Sequence, residues 1–228
     1  MLRAVLFDLD DTLIDQASAA GAAVEAWAAE HGITDADVRQ RWALVSEANY
    51  VRYQRRELTF AQQRQERVRE FMAVEIDDEE ADELFSGYLA RYEAGWTTFD
   101  DAVPALRRAR AAGLTVGVLT NGDKEQQRSK LQKLGLEDEI DYLIASSMLP
   151  AGKPDLRAFQ YAVHRVGVGA REALMVGDSL EKDVRGALSA GLNATLLDRY
   201  DAHRGADVPR VRSLDHLTYG RDTSTSQP

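Results

Sequence analysis

The sequence contains no cysteine. Disulfides, thiolate catalysis and cysteine-ligated zinc are therefore excluded. No apolar run approaches the ~20 residues that a bilayer-spanning helix needs, so no membrane partner is expected. Positive charge is scarce: 28 Lys and Arg face 38 Asp and Glu, a formal net charge of −10. Broad nucleic-acid binding relies on basic residues neutralising phosphates, so no nucleic-acid partner is expected either. A small phosphorylated substrate stays open, because a local cation can reverse the field inside one site. Met1-Leu2-Arg3 leads straight into an apolar strand, which argues against a signal peptide and for a cytoplasmic location.

What is present is an ordinary globular composition, 44% apolar and 29% charged over 228 residues. That is enough for one domain, or one domain with a smaller insert. The organising stretch is Ala4-Val5-Leu6-Phe7-Asp8-Leu9-Asp10-Asp11-Thr12-Leu13-Ile14-Asp15. Its unbroken apolar start reads as a strand covered on both faces of a parallel sheet. Asp8 and Asp10 follow, two apart, so in an extended chain both point to one side at the strand's carboxyl end. Two crowded acids repel each other, and a nearby cation, or chemistry that needs one acid neutral, explains their tolerance.

Downstream, helical spacing predicts helices over 17–30, 35–56, from the N-cap Thr59 to Met72, and 77–92, with no strand between Asp15 and Thr97. From Asp101 the pattern alternates between helices and strands, the signature of βαβ units. Strands are predicted over 114–119, 142–145, 173–176 and 194–197, with helices over 104–112, 126–134, from Pro154 to Val166, and 181–190. The polar stretch 221–228 reads as a disordered tail. The expected architecture is α/β, a Rossmann-like parallel sheet flanked by helices, with an inserted all-helical domain. The core is 1–15 and 99–228, and the insert is 16–98. Gln16-Ala17-Ser18 and Gly95-Trp96-Thr97-Thr98 are the expected hinges. A parallel sheet collects its carboxyl ends on one edge, so Asp8, Asp10, Thr120, Asn121 and Asp178 become neighbours, joined by Lys153 from a loop.

Four pieces carry a specific resemblance. They are Asp8-Leu9-Asp10-Asp11-Thr12, Thr120 closing a strand before Asn121-Gly122, Lys153 in Gly-Lys-Pro-Asp, and Gly177-Asp178-Ser179 with Asp183 four residues later. In this order and spacing they resemble the haloacid dehalogenase superfamily, in its helical-cap phosphatase form. The residue chemistry suits phosphoryl transfer. Asp8 can attack phosphorus and form an aspartyl phosphate, and Mg²⁺ suits the repulsion between that anion and the phosphate.

The resemblance implies Mg²⁺ bound by the Asp8 carboxylate, the Asp10 backbone carbonyl and the Asp178 carboxylate. It implies Asp10 as general acid and then base, and Lys153 as a point charge on phosphate and Asp8. Substrate binding falls to Thr12, Thr120, Asn121 and Lys153. Asp183 orients Lys153 or metal-bound water, unless it is simply a first-turn helix acid. The expected function is Mg²⁺-dependent hydrolysis of small phosphate monoesters, with a small phosphorylated metabolite as partner and a monomer or homodimer as the assembly. Dehalogenating members lack the second acid of the first motif, which is Asp10 here. Phosphonate-cleaving members need a cap lysine, and no lysine lies between Gln16 and Thr98. A sugar-phosphate mutase of the same superfamily and a catalytically idle phosphometabolite-binding module are the alternatives. In the insert, Trp27, Trp42 and Phe71 read as core, and Arg52, Arg55, Arg56, Arg64, Arg67 and Arg69 as a solvated face with stray ion pairs, the alternative being that one of them recognises an anionic substrate group.

Overall fold

The computed structural model describes residues 1–219. The tail expected at 221–228 lies outside the described residues. The chain separates into two compact units, one made of Met1–Ile14 with the chain from Thr98 on, the other of Asp15–Thr97. The chain passes between them at Ile14/Asp15 and Thr97/Thr98. Gln16–Ser18, expected as a hinge, lies in the first turn of a helix, where the Asp15 carboxylate accepts from the Ser18 N–H at 3.1 Å.

The Asp15–Thr97 unit consists of α1 (Gln16–Glu30), α2 (Val38–Gln54), α3 (Phe60–Met72) and α4 (Asp78–Ala94). Its helix starts are written into the sequence. Thr59 and Asp77 each form a capping box, with Gln62 and Glu80 reaching back to the cap N–H. α1 packs on α4, α2 on α3, and α3 on α4. The centre is aromatic: Trp27, Trp42 and Phe71 are buried, and Trp42 lies 4.5 Å from Tyr88 and 5.1 Å from Phe71 between ring centroids. The arginine expectation is corrected in part. Arg69 pairs with Glu66 and Asp78, but Arg64 lies 4.1 Å over Phe60 and Arg67 lies 4.6 Å over Trp42. Guanidinium planes stack on rings more readily than they are left in water when rings are at hand.

The other unit is a six-stranded parallel sheet in the order β3-β2-β1-β4-β5-β6. Its strands are β1 (Ala4–Phe7), β2 (Thr115–Thr120), β3 (Tyr142–Ala145), β4 (Ala173–Gly177), β5 (Asn193–Leu197) and β6 (Arg210–Val211). Helices α5 (Ala102–Ala111), α6 (Lys124–Lys133), α7 (Leu156–Val166) and α8 (Gly186–Ser189) connect and flank them. β1 shows why its run is unbroken. Val5 and Phe7 enter one apolar core with Leu106 and Leu131, while Ala4 and Leu6 enter the other with Phe159 and Met175.

Three local details differ from the expectation. Asp155 caps α7, and Pro154 precedes it across a cis Lys153–Pro154 bond. The helix expected over 181–190 begins as π-helix, Leu180–Arg185, before α8. β6 was not expected; it is two residues long, at an edge, and lacks the apolar run that marks a strand. No helix among the described residues is long and apolar enough to cross a membrane.

Candidate active site

β1 delivers Asp8 to the carboxyl edge of the sheet, where its N–H still bonds to Val176 O of β4 at 2.8 Å. The Asp8 carboxylate is almost fully buried and receives Lys153 Nζ at 2.5 Å. Lys153 Nζ also meets Asp183 Oδ1 at 2.6 Å. The loop carrying Lys153 is clasped by the Asn121 side chain, which accepts from Lys153 N–H at 2.8 Å and donates to Lys153 O at 2.7 Å. Asn121 thus positions Lys153 through its side chain.

Asp183 owes its place to the π-turn and to a glycine. Its Oδ2 accepts from Ser179 N–H at 3.0 Å. A Cβ on Gly177 would lie 2.2 Å from that same oxygen. Only glycine at the end of β4 leaves the carboxylate room to reach Lys153. Asp183 is the first-turn acid the sequence allowed, and it is also 1% exposed and ion-paired with Lys153.

Asp8, Asp178 and Asp183 each offer a carboxylate oxygen, all within 4.8 Å of one another. Burial is the largest influence on Asp8 and pushes its carboxyl well above the ordinary range, against the pull of Lys153. Burial likewise pushes Asp178 up to about 7, with Asp183 and Asp11 adding repulsion. Burial works against the charge on Lys153, but Asp183 and Asp8 outweigh it and hold the ammonium above its usual value. Three crowded carboxylates thus face one ammonium. Hard oxygen donors in excess of positive charge fit a divalent cation such as Mg²⁺.

Asp10 goes elsewhere. Its oxygens receive Lys130 Nζ at 2.5 Å and Gln127 Nε2 at 2.9 Å, and Gln127 Nε2 also reaches Thr120 Oγ1 at 2.8 Å. Its side chain stands apart from the carboxylate cluster, in which Asp183 is the third member. Thr12, expected to bind substrate, is fully buried and its hydroxyl accepts from the Asp178 N–H at 3.1 Å. The physical reason is topological, since the motif's loop folds back under β4 and spends that hydroxyl on the neighbouring strand's end. Arg199 braces the same loop by donating to Thr12 O at 2.9 Å.

Gln127 and Lys130 were missed in the sequence because α6, Lys-Glu-Gln-Gln-Arg-Ser-Lys-Leu-Gln-Lys, has almost no apolar pattern. One signal existed. Leu131 must face the core, and Gln127 stands four residues before it, on the same face.

Comparison with known proteins completes the picture. The haloacid dehalogenase-like hydrolase family matches residues 2–191. A phosphoserine phosphatase of Thermus thermophilus is 40% identical over 121 residues, 53% of this chain and 48% of that one. The chain thus spans about half the length of that relative. A phosphoglycolate phosphatase of Xanthomonas campestris pv. campestris is 31% identical over 197 residues, 83% of this chain and 80% of that one. The crystal structure of a 2-haloacid dehalogenase from Pseudomonas syringae superposes with a TM-score of 0.68 at 28% identity, over 94% of this chain and 96% of that one. With its four motifs gathered on one sheet edge and the match running through four of the six strands, β1 to β4, this chain belongs to the haloacid dehalogenase-like hydrolase family.

Proposed function

We propose that this protein is a Mg²⁺-dependent phosphatase that hydrolyses small phosphate monoesters through an aspartyl phosphate on Asp8. The observation that carries the reading is the Asp8–Lys153–Asp183 chain beside Asp178, an anionic nucleophile held next to a fixed ammonium. Asp8 attacks phosphorus, the bond to the leaving oxygen breaks, and Asp10, having first taken a proton from solvent, gives it to that oxygen. Water then attacks the acyl phosphate, gives its proton to Asp10 and releases inorganic phosphate, freeing Asp8.

Lys153 offsets the phosphate's charge, and the Thr120 hydroxyl with the Asn121 N–H bonds its oxygens. Asp8 and Asp178, with the Asp10 carbonyl, would hold Mg²⁺, which when bound polarises the phosphoryl oxygens and screens the approach of Asp8. Asp183 acts by holding Lys153. The presence of Asp10 separates this reading from carbon–halogen cleavage, and the phosphatases among the relatives favour it. In this reading the helical unit is the family's cap.

The test is turnover of p-nitrophenyl phosphate with Mg²⁺ and with EDTA. Activity is expected with the metal and lost with the chelator, and Asp8→Asn is expected to abolish it at an unchanged thermal midpoint. Metal-independent turnover, or an active Asp8→Asn, rules the mechanism out.

A further inference from the structure

One side-chain group at the site has no part in the reaction as written. Lys130 and Gln127 are 2% and 1% exposed on the inner face of α6. A buried ion pair is a poor device for stability, since apolar residues of similar size often serve as well or better. Placing a lysine and a glutamine there calls for another reason, and the geometry supplies one.

The two residues hold both oxygens of Asp10, Lys130 Nζ on Oδ1 and Gln127 Nε2 on Oδ2. A carboxylate only accepts, so Asp10 fixes which end of the Gln127 amide carries nitrogen. That same nitrogen donates its second proton to Thr120 Oγ1. With an incoming donor fixed on its oxygen, the Thr120 hydroxyl must send its own proton elsewhere. Space for this bracket comes from Gly122, where a Cβ would meet Gln127 Cγ at 2.8 Å and Cδ and Nε2 at 2.9 Å. Glycine directly after Thr120-Asn121, glutamine five residues on and lysine three beyond that thus form one device.

We propose that Lys130 and Gln127 are positioning residues of the reaction, fixing the aim of the Asp10 carboxylate and of the Thr120 hydroxyl as one unit. This rests on the phosphatase reading above. Lys130 acts through Asp10 on the leaving group, and Gln127 acts on both the leaving group and the phosphate. Loss of Lys130 must therefore weigh most on esters whose leaving group needs a proton, whereas loss of Gln127 must weigh on all.

The experiment compares p-nitrophenyl phosphate with phenyl phosphate, which share a ring but differ in leaving-group basicity, at saturating Mg²⁺. For Lys130→Met, kcat on phenyl phosphate is expected to fall about tenfold or more, and on p-nitrophenyl phosphate about threefold or less, with KM little changed. Lys130→Arg is expected to restore much of the ratio. Gln127→Leu is expected to lower kcat on both esters. Equal losses on both esters for Lys130→Met, or none, overturn the proposal while leaving the phosphatase standing. If Lys130→Met does not fold, Gly122→Ala displaces Gln127 in the same bracket and is expected to lower kcat on both esters; an unchanged kcat on both overturns the proposal. Wild-type protein that turns over neither ester defeats the phosphatase reading, and this role falls with it.

Discussion

The two units treat their most buried cations differently. In the sheet unit, inward charges meet charges of the other sign or aimed donors: Lys153 with Asp8 and Asp183, Lys130 with Asp10, Arg199 with Asp101, and Arg210 with Asp198. In the helical unit the inward cation Arg67 lies over Trp42, Phe85 and Tyr88, and the indole N–H groups of Trp27 and Trp42 are buried without an acceptor. A hydrogen-bonded ion network fixes directions and distances, whereas ring contacts tolerate sliding at modest cost. The first suits groups that must meet a reacting atom. The second suits a body held by bulk and shape.

That contrast can be broken at Gly177. Gly177→Ala would drive a methyl into Asp183. Displacing Asp183 unhooks Lys153, and a misplacement of about 1 Å at a site is worth on the order of 100-fold in rate. We expect kcat on p-nitrophenyl phosphate to fall by about that factor. An unchanged kcat would show that Asp183 is not needed to aim Lys153.

In the helical unit the expected cost is in stability. Phe71→Ala removes a fully buried ring and is expected to cost about 3–5 kcal/mol in urea unfolding. Arg67→Met, by contrast, is expected to cost about 1–2 kcal/mol, because an apolar chain of similar length keeps the ring contacts and removes a buried charge but leaves the Tyr88 hydroxyl without its partner. A large loss for Arg67→Met would mean that the cation is paired as firmly as those of the sheet unit.

The smallest effect is a pH dependence. Asp101 accepts from two Arg199 nitrogens at 2.8 Å each, from Ser213 Oγ at 2.8 Å and from Leu214 N–H at 2.9 Å. Burial opposes its charge, but these bonds outweigh burial and hold its pKa below the ordinary value. A depressed folded-state pKa stabilises above the unfolded value of about 3.9, and the benefit is lost as pH falls through the folded value. Wild type should therefore exceed Asp101→Asn in thermal midpoint at neutral pH, with the gap closing on acidification below about pH 4. A gap that stays constant with pH would exclude the linkage.

Much of this was legible in the sequence, for identifiable reasons. β1 announced itself because both its faces are covered, and Asp8, Thr120 and Asp178 because strand ends share one edge of a parallel sheet. Thr59 and Asp77 marked their helices by caps that act within four residues. What escaped depends on partners distant in the chain. Thr12 is claimed by Asp178, Asn121 by the Lys153 backbone, and Asp10 by Gln127 and Lys130. No local pattern records which of two carboxylates two residues apart will find which lysine.

The register of the sheet also bears on how the chain is made. Ala4 pairs with Thr115 on one side and with Ala173 on the other. At roughly 5–20 residues per second, translation leaves β1 waiting on the order of ten seconds for its first neighbour and longer for its second. During that interval the helical insert, rich in short-range contacts, can condense by itself, while an apolar strand with two bare edges remains exposed. The strand that carries Asp8 to the sheet edge is thus the one a nascent chain must shelter longest.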